Sequence, residues 1–411
     1  MRVLLSTYGS RGSVEPMAGL AVALRESGVQ ARVCAPPDEE FAKRLAEVGV
    51  ETVAMGRPVR ALVGSVTPGS AVGLAQRAAE LMTEQFDTVA AAAAGCDALV
   101  VTGPLPVAAG ARSVAEKLGI RYVHASHQPV SLPSPYRRPP VRRGQPVPPE
   151  TVDNRALWDE DARIAHTMFG EVLNTHRASA GLPPVDDIRD YAFSGRPWLA
   201  TDPVLSPWQP TDLGVVQTGA WAVADERPLP DGLAAFLDAG TAPVYVGFGS
   251  TPMGAPQEIA RVTIEAVRAQ GRRAVVFRGW ADLDLIDDQG DCFVVGEVNH
   301  RALFRRVAAV VHHGSAGTTT TAAGAGAPQV VVPQGAGDQP YWAGRVADLG
   351  IGVAHDGPTA TATSAPTVES LSAALQAALD PGTRARATDV AGTIRTDGAT
   401  VAAKLLLDAV G

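Results

Sequence analysis

Short, nearly continuous apolar runs recur along the chain, and each is followed by a longer stretch whose apolar positions return at the helical period. In the first third, Val3–Ser6, Gln30–Ala35, Glu51–Ala54, Ala98–Val101 and Tyr122–Ala125 read as strands. Pro16–Gly28, Pro37–Val48, Ala71–Ala94 and Val107–Leu118 read as the intervening helices. Strands that are apolar on both faces and alternate with helices predict a parallel sheet covered on each side. The alternation stops at Gln128–Glu150, a stretch with eight prolines and the pairs Arg137-Arg138 and Arg142-Arg143. A loop this long inside a compact unit is expected either to be mobile or to act as a lid or recognition loop. A helix near Val152–Ala180 and the last strands, Trp198–Ala200 and Val215–Gln217, complete the first half.

The polar, proline-bearing segment Ala222–Gly232 reads as a linker, after which the alternation restarts. Strands are expected at Val244–Phe248, Ala274–Phe277, Phe293–Val295, Ala308–Val311, Val330–Val332 and Gly352–Ala354. Helices lie between them, and Val368–Leu379 and Ala387–Ala409 close the chain. The pattern predicts an α/β protein of two tandem Rossmann-like, doubly wound domains. Residues 1–221 form the first, 222–232 the linker and 233–411 the second, with the last helix free to pack back on the first. Ligands of such sheets bind beyond the carboxyl ends of the strands, so two facing domains share one cleft.

Composition narrows the function. Among 411 residues, 35 are Lys or Arg and 43 are Asp or Glu, so the net charge of −8 disfavours a general nucleic-acid or anionic-membrane binder. Cys34, Cys96 and Cys292 are too scattered for a disulfide framework or a cysteine metal site. No segment reaches the ~18 apolar residues of a membrane span. The strand-like N-terminus shows no signal peptide, so a cytoplasmic monomer is expected.

The strongest chemical signal is His312-His313-Gly314-Ser315-Ala316-Gly317-Thr318, which follows a strand and opens a helix. Free N–H groups and the helix dipole make such a turn an anion cradle of the kind that holds a diphosphate. Its glycines permit close backbone approach, Ser315 and Thr318 add hydroxyls, and a histidine can donate to a phosphate oxygen. The next strand leads to Pro333-Gln334-Gly335-Ala336-Gly337-Asp338-Gln339-Pro340, where Asp338 and Gln339 suit vicinal sugar hydroxyls. By itself Asp338 would read equally as a helix N-cap. Weaker candidates are Ser250 and Thr251 for phosphate or ribose, Trp280 to wall a base pocket, the backbone of Gly296-Glu297-Val298-Asn299-His300 to read a pyrimidine, and Glu297 to hold a ribose. In the first half, Ser10, Arg11, Gly12 and Ser13 occupy the turn after strand one, and His124 and His127 end another strand. No carboxylate or His cluster with metal-ligand spacing and no nucleophile elbow occurs, so neither a catalytic metal nor a serine hydrolase is indicated.

Together these residues resemble the glycopeptide-antibiotic glycosyltransferases of the vancomycin and teicoplanin type, which have the two-Rossmann GT-B fold. The resemblance rests on MRVLLSTYGSRGSVEP, ARSVAEKLGI, DPVLSPWQPTDLGVVQTGAW, PVYVGFGS, RGWADL, CFVVGEVNH, HHGSAGT and DQPYWAGRVADLGIGVAHDGP, and spans nearly the whole chain. It implies inverting transfer of a hexose, glucose or N-acetylglucosamine, from a UDP- or TDP-sugar to a peptide aglycone. No metal or other cofactor is implied. HHGSAGT would hold the diphosphate, Asp338 and Gln339 the sugar, and Trp280 and Val298 the base. The first domain with its Pro/Arg loop would bind the aglycone. Members of the family usually carry Asp or His as general base at the position of Ser13, and a serine hydroxyl is not a competent base near neutral pH. Three explanations stay open: a phenolic acceptor that needs little help; another base among Glu15, His124, His127 and Asp338; or a catalytically impaired, substrate-binding homologue. A nucleotide-sugar isomerase on the same scaffold is the remaining alternative.

Overall fold

The computed structural model describes residues 1–65, 71–141, 149, 151–250, 256–334, 337–355 and 365–410. Two parallel sheets form. The first contains β1 (Arg2–Thr7), β2 (Gln30–Ala35), β3 (Glu51–Ala54), β4 (Ala98–Thr102), β5 (Arg121–Ser126), β6 (Trp198–Leu199) and β7 (Val216–Gln217), in the order β3-β2-β1-β4-β5-β6-β7. The second contains β8 (Val244–Gly247), β9 (Ala274–Phe277), β10 (Cys292–Val295), β11 (Ala309–His312), β12 (Gln329–Val331) and β13 (Gly352–Ala354), in the order β10-β9-β8-β11-β12-β13.

The helices of the first half are α1 (Arg11–Glu26), α2 (Glu39–Glu47), α3 (Val59–Ser65), α4 (Ala71–Ala93), α5 (Leu105–Leu118), α6 (Asn154–Ser179) and α7 (Ile188–Phe193). Those of the second are α8 (Asp231–Asp238), α9 (Pro256–Ala269), α10 (His300–Phe304), α11 (Ala316–Gly324), α12 (Gln339–Asp348), α13 (Val368–Ala378), α14 (Pro381–Ala391) and α15 (Gly398–Val410). In each sheet the strand order reverses direction beside the first strand, β1 or β8, which creates a crevice at the carboxyl edge. Register sets that edge: His312 lies level with Gly247 on one side and Val331 on the other, and Thr7 lies level with Thr102.

Two elements differ from the expectation. α1 begins at Arg11, five residues before Pro16. The Ser10 carbonyl accepts from the N–H groups of Ser13 and Val14, which starts the helix early. A proline inside a helix forfeits its bond to the carbonyl four residues back, here that of Gly12, whose lack of a side chain eases crowding. The terminal helix expected over Ala387–Ala409 is two helices. At the start of α15 Gly398 passes so close to the first half that a Cβ there would collide with the Ala220 carbonyl oxygen. From that crossing α15 returns to the first sheet and buries Ala399, Ala402, Ala403 and Leu406 in one cluster with Val14, Met17 and Leu24 of α1. Full burial of a Leu side chain contributes about 1.5–3 kcal/mol, so Leu406 alone ties the chain end firmly.

Candidate active site

The loop from β11 to α11 is organised from beneath. The Gly314 N–H donates to Nδ1 of His312 at 3.1 Å, so His312 carries its proton on Nε2 and donates it to Oε1 of Gln329 at 2.9 Å. Gln329 in turn reaches the Thr319 carbonyl. Gly314 has φ 92°, a conformation costly for any residue with a Cβ. Its neighbours add a second constraint: a Cβ would meet Cγ1 of Val331 at 2.8 Å and the Gln339 carbonyl oxygen at 3.0 Å. The cradle and the Asp338–Gln339 motif are therefore in direct contact.

Ser315 is the N-cap of α11, and its Oγ accepts from the Thr318 N–H at 3.4 Å and donates to Oγ1 of Thr318 at 3.0 Å. The Thr318 hydroxyl hydrogen is thereby left for another acceptor. Ala316 and Gly317 fill the first helical positions, where N–H groups have no intrahelical partner. Gly317 is exposed, with open space where a side chain would be. His313 is buried against Gly249, and its Nδ1 has no hydrogen-bond partner among the described residues. Burial drives its pKa down to about 4, so it is a neutral imidazole at neutral pH rather than a resident charge.

Asp338 occupies the N-cap position of α12 but makes no side-chain capping bond. Instead its Oδ2 accepts from the indole N–H of the fully buried Trp342 at 2.8 Å. Burial pushes the Asp338 carboxyl up to about 6. Oε1 of Gln339 accepts from the Gln334 N–H at 2.7 Å, which fixes the amide and leaves its NH2 as the available donor.

Across the cleft, Ser10 is the N-cap of α1 without a capping bond from its side chain, and Arg11, Gly12 and Ser13 form the first helical turn rather than a loop. The Ser13 carbonyl accepts from Oγ1 of Thr7 at 3.2 Å. Arg11 pairs with Glu15 at 3.1 Å and, over the cleft, with Glu297. Glu15 also takes Arg44 Nε on both oxygens, at 3.0 and 3.3 Å, so its carboxylate serves an ion-pair network. His127 Nε2 lies 3.2 Å from Oγ1 of Thr102, and His124 packs on Phe193 with ring centroids 4.7 Å apart. Burial drives the two histidines down to about 4 and about 3, which leaves both weak proton acceptors.

The residues expected around the base make contacts within the protein. Trp280 donates its indole N–H to Oε1 of Glu40 at 2.6 Å and tilts against Phe41, both on α2. Val298 is buried among Leu233, Tyr245, Phe277 and Phe304, so its side chain faces the core. Asn299 is a cap: its Oδ1 accepts from the Ala302 N–H at 2.9 Å, while its Nδ2 donates to the carbonyls of Asp225 and Arg227 at 2.7 and 3.0 Å. Its side-chain amide is therefore engaged within the protein. Ser250 is half-buried at the end of the β8 loop, and Thr251 lies outside the described residues. The reading of the sequence missed the His312–Gln329 support, although a glutamine opening an otherwise apolar strand was a visible signal. It also missed Glu40 and Arg44, whose roles need a partner remote in sequence.

The chain matches the glycosyltransferase family 28 N-terminal domain over residues 3–132 and the erythromycin biosynthesis protein CIII-like C-terminal domain over residues 285–400. It is 58% identical to the vancomycin aglycone glucosyltransferase of Amycolatopsis orientalis over 410 residues, covering 100% of this chain and 98% of that one. It is 53% identical to the dTDP-epi-vancosaminyltransferase of the same organism over 414 residues, with the same coverage. Among solved structures, the kitacinnamycin glycotransferase superposes with a TM-score of 0.72 at 19% identity, covering 99% of this chain and 98% of that one.

Proposed function

The chain belongs to the glycopeptide-antibiotic glycosyltransferases, enzymes of the GT-B fold, and on that premise we propose that it moves a hexose from a nucleoside diphosphate sugar to a hydroxyl of a glycopeptide aglycone. The sugar is glucose or N-acetylglucosamine, the donor a UDP- or TDP-sugar, and the anomeric centre inverts without a metal. One observation carries the reading: the open first turn of α11 adjoins the Asp338–Gln339 motif through Gly314. A diphosphate at that turn would meet the Ala316 and Gly317 amides, the Thr318 hydroxyl and an Nδ1–H of His313. Preorganised dipoles of this kind stabilise a leaving anion without reorganisation. The sugar would then extend toward Asp338 and the Gln339 amide, and the aglycone would enter from residues 1–221. The relative named for vancomycin aglycone glucosylation supports the acceptor class, and the one named for a dTDP-sugar supports the donor class.

The acidity of Asp338 favours a second role for this residue. Of the four groups weighed as base in place of Ser13, Glu15 is held by two guanidiniums, His124 and His127 are driven far below neutrality, and Asp338 titrates near 6. An efficient base has a pKa near the operating pH, so on acidity alone Asp338 is the best matched of the four.

The test is transfer of labelled hexose from UDP- and TDP-sugars to a panel of glycopeptide aglycones, with product stereochemistry read by NMR and chelator added in parallel. An inverted glycoside formed in chelator supports the proposal. Donor consumption without acceptor would point to an isomerase, and absence of transfer from every pair would overturn the assignment. Asp338→Asn separates the two roles: loss of the acidic limb of kcat marks a base, whereas a raised donor KM with an unchanged pH profile marks a sugar contact.

A further inference from the structure

The described part of the proline-rich loop that follows β5, residues 128–141, is held to the fold by its backbone. Asn154 Nδ2 donates to the Pro135 carbonyl at 2.9 Å, and the indole N–H of buried Trp158 donates to the Arg137 carbonyl at 2.8 Å. Both donors sit in the first two turns of α6. The two side chains between these anchors behave in opposite ways. Tyr136 is 62% exposed, among the most exposed large apolar side chains of the described residues. Arg137 instead lays its guanidinium over the ring of Tyr341, 4.7 Å from the centroid.

Tyr341 lies three residues past Asp338, on the first turn of α12, and its hydroxyl donates to Oγ of Ser206 at 2.9 Å. Arg345, one turn further, donates to the carbonyls of Leu205 and Val204. The sugar-motif end of α12 is thus fastened to the first half by Arg137 of the loop together with Tyr341, Arg345 and the packing of Leu205 on Trp342. Arg137 Nη1 is sealed from solvent and has no hydrogen-bond partner among the described residues. Its charge also feels Arg345 nearby. What holds it is the face of the ring, a cation–π contact strengthened by exclusion of water.

We infer that Arg137 is a positioning residue for the acceptor: its clasp on Tyr341 sets the loop at residues 129–141, with Tyr136 outward, at a fixed distance from the Asp338 end of α12. The inference rests on the proposed transfer to an aglycone. In that reaction the acceptor hydroxyl must be held about 3–3.5 Å from the sugar carbon and aligned with it, where a misplacement of about 1 Å costs on the order of a hundredfold in rate, and the clasp joins the acceptor loop to the element that begins at the sugar motif. The diphosphate cradle lies on α11, and the ring contact of Arg137 is to Tyr341 of α12.

The experiment compares Arg137→Ala, Tyr341→Leu, their double variant and Tyr341→Phe with the wild type, at matched melting temperature. Each is measured for TDP and UDP affinity by calorimetry and for acceptor and donor kinetics. Removing a desolvated cation–π contact is expected to lower kcat/KM for the aglycone by roughly tenfold, with diphosphate affinity unchanged. Tyr341→Phe, which keeps the ring, should retain most of the activity, and the double variant should be no worse than Tyr341→Leu alone. Additive losses, equal losses of TDP or UDP binding, or unaltered aglycone kinetics in Arg137→Ala would overturn the inference. If the wild type itself transfers to no aglycone, the functional reading fails first and is recognised separately.

Discussion

Trp280 and Glu40 stand 240 positions apart in the chain, yet the indole N–H of one meets the carboxylate of the other at 2.6 Å. The contact spans the cleft, as does the ion pair of Arg11 with Glu297. Any nucleotide base approaching Trp280 meets a side chain already engaged with α2. A hydrogen bond to a charged partner contributes about 1.5–3 kcal/mol, and less where water screens it. We expect Trp280→Phe, which keeps an aromatic ring and deletes the donor, to widen the ligand-free scattering profile. Profiles taken with saturating TDP should coincide with those of the wild type.

Gly314→Ala tests the junction of the two motifs. The residue has φ 92° and faces the Gln339 carbonyl, which belongs to the helix backbone and cannot swing aside. Left-handed strain costs roughly 1–2 kcal/mol for an L-residue, and the steric conflict adds to it. A lowered melting temperature together with a TDP affinity reduced by roughly tenfold or more is the expected result. Retained affinity in a folded variant would separate the cradle from nucleotide binding.

Asn299 supplies a contrast. Replacing it with Ala removes a helix cap and two donors to the Asp225 and Arg227 carbonyls, a loss of about 1–3 kcal/mol in stability. Because the amide is fully used within the protein, donor KM is expected to stay at its wild-type value. A raised KM with unchanged stability would restore it to the donor site.

Acid should unfold the protein early. Burial lowers His124 and His312 to about 3 and His127, His300 and His313 to about 4, against about 6.5 in an unfolded chain. Between those values the unfolded state binds more protons, so stability present above 6.5 is lost as pH falls toward 4. Asp338 acts in the opposite sense: its raised carboxyl contributes stability at low pH that is lost as pH rises through about 6. Five histidines outweigh one carboxyl, so urea midpoints should fall steadily from neutral pH downward. A His127→Phe variant should show a shallower fall, and midpoints independent of pH would refute the assignment of neutral buried rings.

Bound TDP reverses part of that behaviour. A phosphate beside the unpartnered Nδ1 of His313 would favour the charged ring and lift its pKa. NMR titration of the His313 ring with and without TDP should show an upward shift on binding, and coincident curves would exclude His313 from the diphosphate site.

The order of strands and helices was legible in the linear pattern because the central strands are buried on both faces and the amphipathic helices on one. Periodicity therefore reported burial directly, down to the strand–turn–helix frame of Gly314–Thr318 and of Asp338. Where it misled, local and distant demands competed. Pro16 reads as a helix start, but the Ser10 carbonyl nucleates α1 earlier. Ala387–Ala409 reads as one helix, but Gly398 must pass against Ala220. The sequence alone determined which residue types line the carboxyl edges of two sheets. Only the tertiary structure decided that Asn299 is a cap, that Glu15 belongs to Arg11 and Arg44, that Trp280 meets Glu40, and that Arg137 lies on Tyr341. Those outcomes depend on which charge or ring lies within a few ångströms after folding, and no spacing along a chain encodes the identity of a neighbour contributed by another element.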